Sequence, residues 1–291
     1  MRTIPLLLLL ALTGSALTQE PLQIRTIAAK ASGKVSVACS LPGTLLNCDL
    51  DPTSHPPMQS VFKLPLTLTI LHQVEEGKFS LDQSIPFRRE DLILPKIYSP
   101  LQDKYPNAGV DVPLHTLLEM TVSLGDNTAS EILLRLAGGP GVVSEYIGSL
   151  GVQGFHLEDG ERAMHRDPAL QYRNWLEPRG AVQLLRLISD HSPLTAQHNE
   201  LLLSWMRPAL PTKRLQGDLP AGTSVAHKSG TSDVDNGVAH ATNDIGLIAL
   251  PDGRQLAIAV FVTDASADQA AREKVIAQVA RAAYDAAIQT K

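Results

Sequence analysis

The stretch IGLIALPDGRQLAIAVFVT, residues 245–263, contains two apolar runs separated by a short polar interruption. The runs cover residues 245–250 and 256–263, and the triplet PDG at 251–253 between them is typical of a tight turn. The stretch therefore predicts two adjacent antiparallel strands near the end of the chain.

Two further strands are predicted near the start of the chain, over residues 35–39 and 44–50. A two-residue turn at 43–44 would make them a hairpin and place Cys39 directly opposite Cys48. In an oxidising compartment this arrangement predicts a cross-strand disulfide. The alternative is two reduced thiols, because opposite-strand geometry often strains a disulfide. Either state is structural, since no histidine accompanies the pair at metal-ligand spacing.

The remaining pattern is helical. A long amphipathic helix is predicted over residues 267–288. Six segments between the two pairs of strands also show helical spacing, with glycine and proline between them: residues 64–76, 114–122, 128–137, 142–150, 180–188 and 196–206. This order predicts an α/β fold, with one α/β lobe built from residues 19–58 and 210–291 and an all-α lobe, residues 59–209, inserted into it. A cleft is expected between the lobes.

The first eighteen residues are typical of a cleaved export signal. They combine Arg2, an apolar run over residues 4–12 and small residues up to Thr18. A buried N-terminal helix is the alternative interpretation. The rest of the sequence carries no run of transmembrane length, so we expect a soluble exported protein without a membrane anchor. Its formal net charge of -5, with both signs interspersed, argues against a nucleic-acid partner.

Ser60 and Lys63 give the first indication of a catalytic site. Their spacing puts a hydroxyl and an amine on one helix face, one turn apart. A lysine that is partly desolvated can lose its proton near neutral pH and activate the serine. A serine in the first turn also has backbone N–H groups beside it that can stabilise an oxyanion. Alone, the pair could equally be a capped helix with an exposed lysine.

A second string, Lys228, Ser229, Gly230 and Thr231, comes just before the late strands. A lysine and a hydroxyl can bind a carboxylate, and the glycine permits a substrate to approach the strand edge closely. Thr231 offers a second backbone N–H to an oxyanion. An ordinary strand start is the alternative.

The third string is Gly125, Asp126 and Asn127, at a junction of two helical segments. Asn127 can hold a substrate amide and the amine of Lys63, while Asp126 is expected to pin the loop through backbone hydrogen bonds. A helix-capping turn is the alternative for this string.

With all three strings in order, the chain resembles the class A β-lactamases over essentially its whole mature length. The family's serine-x-x-lysine, serine-aspartate-asparagine and lysine-threonine/serine-glycine boxes match residues 60–63, 125–127 and 228–230. Longer matching stretches resemble the extended-spectrum subgroup of Gram-negative bacteria: residues 58–62, 71–77, 80–83, 138–140, 171–175, 226–231 and 242–246. The resemblance implies a two-lobed serine β-lactamase/transpeptidase-like fold, β-lactam antibiotics as substrates, no cofactor or metal, a monomer and a periplasmic location.

The family also uses a loop carboxylate to activate the water that hydrolyses the acyl-enzyme. Glu161 fits the extended-spectrum pattern, whereas Asp167 resembles the penicillinase pattern. We expect Glu161, because an aspartate is one carbon–carbon bond shorter and a general base must come within about 3 Å of its water. His165 is expected to pack the loop or contact water.

The roles of two further residues are implied by the resemblance alone. Tyr98 corresponds to an aromatic wall at the cleft entrance, with ordinary packing as the alternative. Arg214 corresponds to an arginine facing the substrate carboxylate, with a solvated surface arginine as the alternative.

Gly125 departs from the family pattern, because the missing serine hydroxyl normally protonates the leaving lactam nitrogen. The sequence therefore predicts acylation at Ser60 with weakened hydrolysis. One alternative is a penicillin-binding or D-alanyl-D-alanine peptidase-like protein, which lacks the deacylating loop. The other is a β-lactam binder that does not hydrolyse its ligand.

Overall fold

The structure is a computed structural model that describes residues 23–290, so the predicted export signal at residues 1–18 lies outside the described residues. The helices are α1 (Ile24–Ala28), α2 (Lys63–Glu75), α3 (Pro100–Lys104), α4 (Leu114–Glu119), α5 (Asn127–Ala137), α6 (Pro140–Ser149), α7 (Glu161–Arg166), α8 (Pro178–Asp190), α9 (Ala196–Met206) and α10 (Gln269–Gln289). The strands are β1 (Lys34–Ser40), β2 (Ser84–Phe87), β3 (Val110–Pro113), β4 (Phe155–His156), β5 (Trp175–Leu176), β6 (Val225–Thr231), β7 (Val234–Asp235), β8 (Val238–Ala249) and β9 (Gln255–Ala265).

The main sheet is antiparallel, with its strands in the order β1-β9-β8-β6 and β7 paired to the start of β8. Its centre is the β8–β9 hairpin, in which Ile245 pairs with Ala259 and Ile248 with Leu256. The turn closes through a hydrogen bond from the Leu250 N–H to the Arg254 carbonyl, 2.9 Å. The two late strands and the predicted α/β class with an antiparallel sheet are therefore confirmed.

Alternation along β9 explains how the sheet is covered on both faces. Leu256, Ile258 and Val260 lie in the core under α10, whereas Ala257 and Ala259 belong to the core shared with the helices on the other side. Because side chains alternate along a strand, one apolar run supplies both layers. Helix α8 packs on β1 and β9, on the face opposite α10.

The predicted early hairpin forms only in part. Strand β1 pairs with β9 along its whole length, but residues 44–50 form no strand and touch β1 through a single bridge, Val37 to Leu50. Local bonds take the place of the ladder, since the Thr44 hydroxyl donates to the Leu41 carbonyl at 2.8 Å. The prediction of a strand at 44–50 was therefore wrong.

The predicted disulfide is present, between Cys39 and Cys48, with their Cα atoms 5.5 Å apart. These two cysteines lie two residues beyond the bridge between Val37 and Leu50. The cysteines therefore lie opposite each other in the register that the hairpin prediction gave, although residues 44–50 do not form a strand.

The six predicted internal helices are all present as α2, α4, α5, α6, α8 and α9. The segment between residues 59 and 209 also carries two short antiparallel pairs, β2 with β3 and β4 with β5. The predicted helix at 114–122 ends at Glu119 and continues as a π-helical turn, Met120–Leu124, which leads directly into Gly125. Across residues 23–290, no helix is both long enough and apolar enough to cross a membrane.

Candidate active site

Ser60 lies in a short 3₁₀ turn, Gln59–Phe62, which runs directly into α2. The residue before it, Gln59, has a left-handed backbone with φ 48°. Such a conformation is costly for a residue other than glycine and is most often retained at functional sites. The Gln59 amide donates to Gln171 Oε1 at 2.7 Å, which ties this turn to the loop that carries Glu161.

Lys63 is fully buried one turn after Ser60, as the spacing predicted, and its Nζ lies among four acceptors. The distances are 3.0 Å to Ser60 Oγ, 2.8 Å to the Gly125 carbonyl and 2.9 Å to Glu161 Oε1. The fourth acceptor is Oδ1 of Asn127. The side-chain nitrogen of Lys63 thus contacts Ser60, the Gly125–Asn127 string and the loop carboxylate Glu161.

Glu161 is the first residue of α7 and is only 2% exposed. Its Oε1 accepts from the Ser60 hydroxyl at 3.4 Å. Asp167, the competing carboxylate, is exposed and accepts from the backbone N–H of Ala169 at 3.0 Å, so it caps the following helical turn. The structure therefore brings Glu161 to the serine and places Asp167 on the surface.

The loop around Glu161 is held by two nearby side chains. Nδ1 of His165 lies 2.6 Å from the backbone carbonyl of Glu161, one turn back on α7. Oδ1 of the buried Asn174 accepts from the N–H groups of Glu158 and Asp159 at 2.8 and 3.0 Å. These bonds fix the backbone on either side of the carboxylate and so fix its direction.

The string Lys228–Thr231 lies on β6, the last strand in the order of the main sheet, which runs alongside the Ser60 turn. A Cβ on Gly230 would lie 2.4 Å from the Met58 carbonyl and 3.3 Å from the Ser60 nitrogen. Only a glycine allows the strand to come this close to the turn. As a result, the Gly230 backbone lies against the Ser60 turn, and Thr231 follows it at the end of β6.

Lys228 is buried on β6 and its Nζ donates to the Ser229 carbonyl at 3.1 Å. Burial, followed by the positive charge of Lys63, lowers the pKa of Lys228 to about 7. The Ser229 hydroxyl donates to the Leu210 carbonyl at 2.9 Å.

Arg214 is only 1% exposed, so it is not a surface arginine. Its guanidinium donates to the Gly230 carbonyl at 3.0 Å and to the Thr231 hydroxyl at 2.7 Å. It also lies 3.5 Å from Glu273 on α10. Arg214 therefore supports β6 from behind and adds positive charge to the end of the strand that carries Thr231.

Gly125 ends the π-helical turn with a left-handed backbone, φ 73°. The next residue, Asp126, is fully buried and accepts from Ser99 Oγ at 2.9 Å and from the Leu101 N–H at 2.7 Å. The Ser123 hydroxyl, the nearest in sequence, donates to the Trp205 carbonyl at 2.7 Å. The loop is thus firmly held, with the hydroxyl of Ser123 bonded elsewhere.

A cleft of about 330 Å³ opens beside the Ser60 turn, between the loop carrying Glu161 and the end of the sheet. His240, Asp233 and Asp235 line it and were not identified from the sequence. They lie on β7, β8 and the turn before them, and no motif marks them. Tyr98, 57% exposed, precedes the N-cap of α3, whose Ser99 side chain contacts Asp126.

Comparisons with known proteins agree with this geometry. The model of the β-lactamase enzyme family matches residues 22–287. The extended-spectrum β-lactamase PER-1 of Pseudomonas aeruginosa is 40% identical over 270 residues, covering 91% of this chain and 87% of that enzyme.

Solved structures give the same result. A β-lactamase from Chitinophaga pinensis has a TM-score of 0.87 and 42% identity, covering 91% of this chain and 98% of that one. A class A β-lactamase from Bacteroides cellulosilyticus has a TM-score of 0.85 and 31% identity, covering 91% and 95%. With the nucleophile, its lysine and the loop carboxylate assembled in one buried site, the chain belongs to the class A β-lactamases, which hydrolyse the amide of the β-lactam ring.

Proposed function

We propose that this chain is a β-lactamase of the extended-spectrum type, which forms an acyl-enzyme on Ser60 and is slowed by Gly125. The observation that carries the proposal is the buried contact set of Lys63, whose Nζ reaches Ser60 Oγ at 3.0 Å and Glu161 Oε1 at 2.9 Å. The similarity to PER-1 supports the extended-spectrum assignment.

In acylation, the Ser60 hydroxyl attacks the lactam carbonyl and loses its proton. Two groups lie within reach, Lys63 at 3.0 Å and Glu161 at 3.4 Å. Four acceptors surround the Lys63 nitrogen, an arrangement that suits an ammonium, so we assign Glu161 as the base and Lys63 as its charge partner. The backbone N–H groups of Ser60 and Thr231 stabilise the oxyanion.

In deacylation, Glu161 activates the water that attacks the Ser60 ester. Its burial, its position on α7 and the bonds of Asn174 keep the carboxylate directed at the serine. The exposed position of Asp167 and its capping bond argue against this role for it. The presence of a loop carboxylate beside the nucleophile favours hydrolysis over the peptidase-like alternative.

Substrate binding is assigned to the edge of β6 and the loops around it. Lys228 and Thr231 bind the substrate carboxylate, and Arg214 reinforces the charge through its bond to the Thr231 hydroxyl. The Ser229 hydroxyl, expected from the sequence to be a further contact, donates instead to the Leu210 carbonyl at 2.9 Å. The side-chain amide of the substrate lies between Asn127 and the β6 edge at Gly230, where strand-like pairing is available. Tyr98 forms a wall at the cleft entrance.

Gly125 removes the hydroxyl that would protonate the leaving nitrogen. Loss of a general acid costs on the order of 10² to 10⁴ in rate. Ser123 does not replace it, because its hydroxyl is bonded to the Trp205 carbonyl at 2.7 Å. We therefore infer that acylation is the slow step and that overall turnover is weak.

The remaining assignments are part of the same proposal. Residues 1–18 are an export signal and the mature protein is a periplasmic monomer. The α/β lobe comprises residues 19–58 and 210–291, and residues 59–209 form the inserted, mainly helical lobe. The disulfide between Cys39 and Cys48 supports an oxidising compartment.

Intact-protein mass spectrometry after exposure to benzylpenicillin tests the proposal, with Ser60→Ala as the control. Because acylation is the slow step, we expect slow benzylpenicillin turnover with only a small, transient adduct on the wild type, and neither turnover nor adduct on the control. An adduct that persists for hours would identify a non-hydrolytic binder or a peptidase-like protein. Absence of both adduct and turnover would overturn the enzyme assignment.

A further inference from the structure

Lys228 faces the space in which a side chain of residue 125 would lie. An ideal Cβ on Gly125 would be 3.8 Å from Lys228 Nζ, an ordinary van der Waals contact. A serine hydroxyl, one bond further out, would be within hydrogen-bonding reach of that amine. The bond to the Ser229 carbonyl, 3.1 Å, occupies one of the three N–H groups of a lysine ammonium. The amine is thus positioned to donate where the family's hydroxyl would donate.

The other hydrogen-bond donors near the position of a residue-125 side chain already donate to protein acceptors. The Lys63 ammonium has three N–H groups for four acceptors, including the Gly125 carbonyl at 2.8 Å. The Ser123 hydroxyl donates to the Trp205 carbonyl. Among the site residues described here, Lys228 is therefore the group best placed to supply a proton beside Gly125.

We propose that Lys228 is the general acid of acylation in this protein, a role that rests on the proposed acylation of Ser60. As the carbon–nitrogen bond of the tetrahedral intermediate breaks, its electron pair remains on the lactam nitrogen. An N–H proton of the Lys228 ammonium passes to that nitrogen, directly or through one water. Lys228 is left as a neutral amine and regains a proton from solvent. Glu161 releases to solvent the proton that it took from Ser60, so both groups return to their starting charge before deacylation.

The charges around Lys228 suit this role. Lys63 on α2 and Arg214 in the segment after α9 oppose a further positive charge, while Asp244 on β8 and Glu161 on α7 favour it. Burial is the largest influence, and the result is a pKa lowered to about 7. An acid whose pKa lies near the working pH donates its proton readily while about half of it is still protonated at that pH.

A double-mutant cycle tests the role of Lys228. The acylation rate is measured by quench-flow as the loss of benzylpenicillin in a single turnover with enzyme in excess, for the wild type, Lys228→Arg, Gly125→Ser and the double variant. Arginine keeps the positive charge but does not release a proton. We expect Lys228→Arg to slow acylation by on the order of 10² to 10⁴ in the wild type. In the Gly125→Ser background the loss should be at least about tenfold smaller, because the serine hydroxyl supplies a second route.

The pH dependence of kcat/KM gives a second readout that needs no substitution at Lys228. The acid form is present below the pKa of Lys228, so kcat/KM of the wild type should fall as the pH rises through about 7. In Gly125→Ser the falling limb should move to higher pH, because a hydroxyl bonded to Nζ stabilises the ammonium. If Lys228→Arg does not fold, as judged by circular dichroism, the pH dependence of kcat decides instead, because at saturating substrate it does not report the carboxylate binding that Lys228 also provides.

Equal losses from Lys228→Arg in both backgrounds, or a wild-type kcat/KM that is flat from about pH 6 to about pH 9, would overturn the role of Lys228. The outcome is separable from the proposed function. Without either a Ser60 adduct or Ser60-dependent turnover in the wild type the enzyme assignment fails, whereas Ser60-dependent turnover with equal losses removes only the proton-donor role.

Discussion

Gly230 and Met58 lie in such close contact that a Cβ on the glycine would be 2.4 Å from the methionine carbonyl oxygen. The same Cβ would be 3.3 Å from the Ser60 nitrogen. The short distance between strand β6 and the Ser60 turn therefore requires a residue without a Cβ at position 230.

We expect Gly230→Ala to push β6 away from the Ser60 turn and to widen the gap between the two oxyanion donors. Because each such donor is worth on the order of 10² in rate, kcat should fall by at least about tenfold. The added methyl should also cost about 1–3 kcal/mol of stability, measurable by urea unfolding. Gly148→Ala is the matched control, since a Cβ there meets nothing within 4 Å. Equal activity of both variants would contradict the close-contact argument.

Glu161→Gln and Asp167→Asn form a matched pair that tests the deacylating base. The first change leaves a side chain of the same size beside Ser60 but removes the base of both steps. The Ser60 proton can still leave through Lys63, 3.0 Å away, so deacylation should slow more than acylation, by on the order of 10² to 10⁴. Intact-protein mass spectrometry should show a long-lived adduct for Glu161→Gln and a transient one for Asp167→Asn. A long-lived adduct on the Asp167 variant would reverse the assignment.

Gly125→Ser should raise benzylpenicillin turnover by on the order of 10² or more, because the hydroxyl restores a proton donor. The backbone there is left-handed, φ 73°, so any side chain costs about 1–2 kcal/mol. Gly125→Ala has the same backbone cost without the hydroxyl, and its turnover should not rise. Steady-state kinetics and thermal melts of all three proteins separate the two effects. Wild-type turnover at the usual rates of the family, unchanged by serine, would show that the glycine does not limit catalysis.

His227 is a buried histidine whose contribution to stability should depend on pH. Burial alone would lower its pKa, but the charge of Asp244, 2.8 Å away, and the hydrogen bond between them outweigh burial and raise the pKa above 6.5. A group with a raised folded-state pKa stabilises the fold fully below its unfolded pKa and loses that effect as the pH rises through the folded pKa. The difference in unfolding free energy between the wild type and His227→Asn should therefore shrink as the pH rises above about 6.5.

His191→Asn is the control for this measurement, since His191 is exposed at the end of α8. The pH slope of the His227→Asn difference is read relative to that of His191→Asn. A His227→Asn difference that grows with rising pH would contradict the assignment of a charged His227 paired with Asp244.

Local sequence was enough to predict the features that depend on neighbouring residues. The β8–β9 hairpin follows from two apolar runs and a PDG turn, and the contact between Ser60 and Lys63 follows from helical spacing. The choice of Glu161 over Asp167 came from the family resemblance and from side-chain length, and the structure places the two carboxylates accordingly.

Features that depend on distant parts of the chain were not predictable in this way. The burial of Arg214 depends on contacts with β6, β8 and Glu273 on α10. The strand expected at 44–50 was replaced by side-chain bonds of Thr44. The left-handed backbone of Gln59 has no signal in its residue type. The turn that contains it lies against Gly230 of β6, which is distant in sequence.

The pairing of β1 with β9 also has a consequence for biosynthesis. Lys34 is paired with Thr263, so the first strand of the sheet meets its partner only after most of the chain has been made. Lys228, on the far side of β8 and β9, takes its place in the same sheet. Ser60 is therefore synthesised long before the sheet that completes its site can form. We expect the chain to react with a β-lactam only after β9 has been translated.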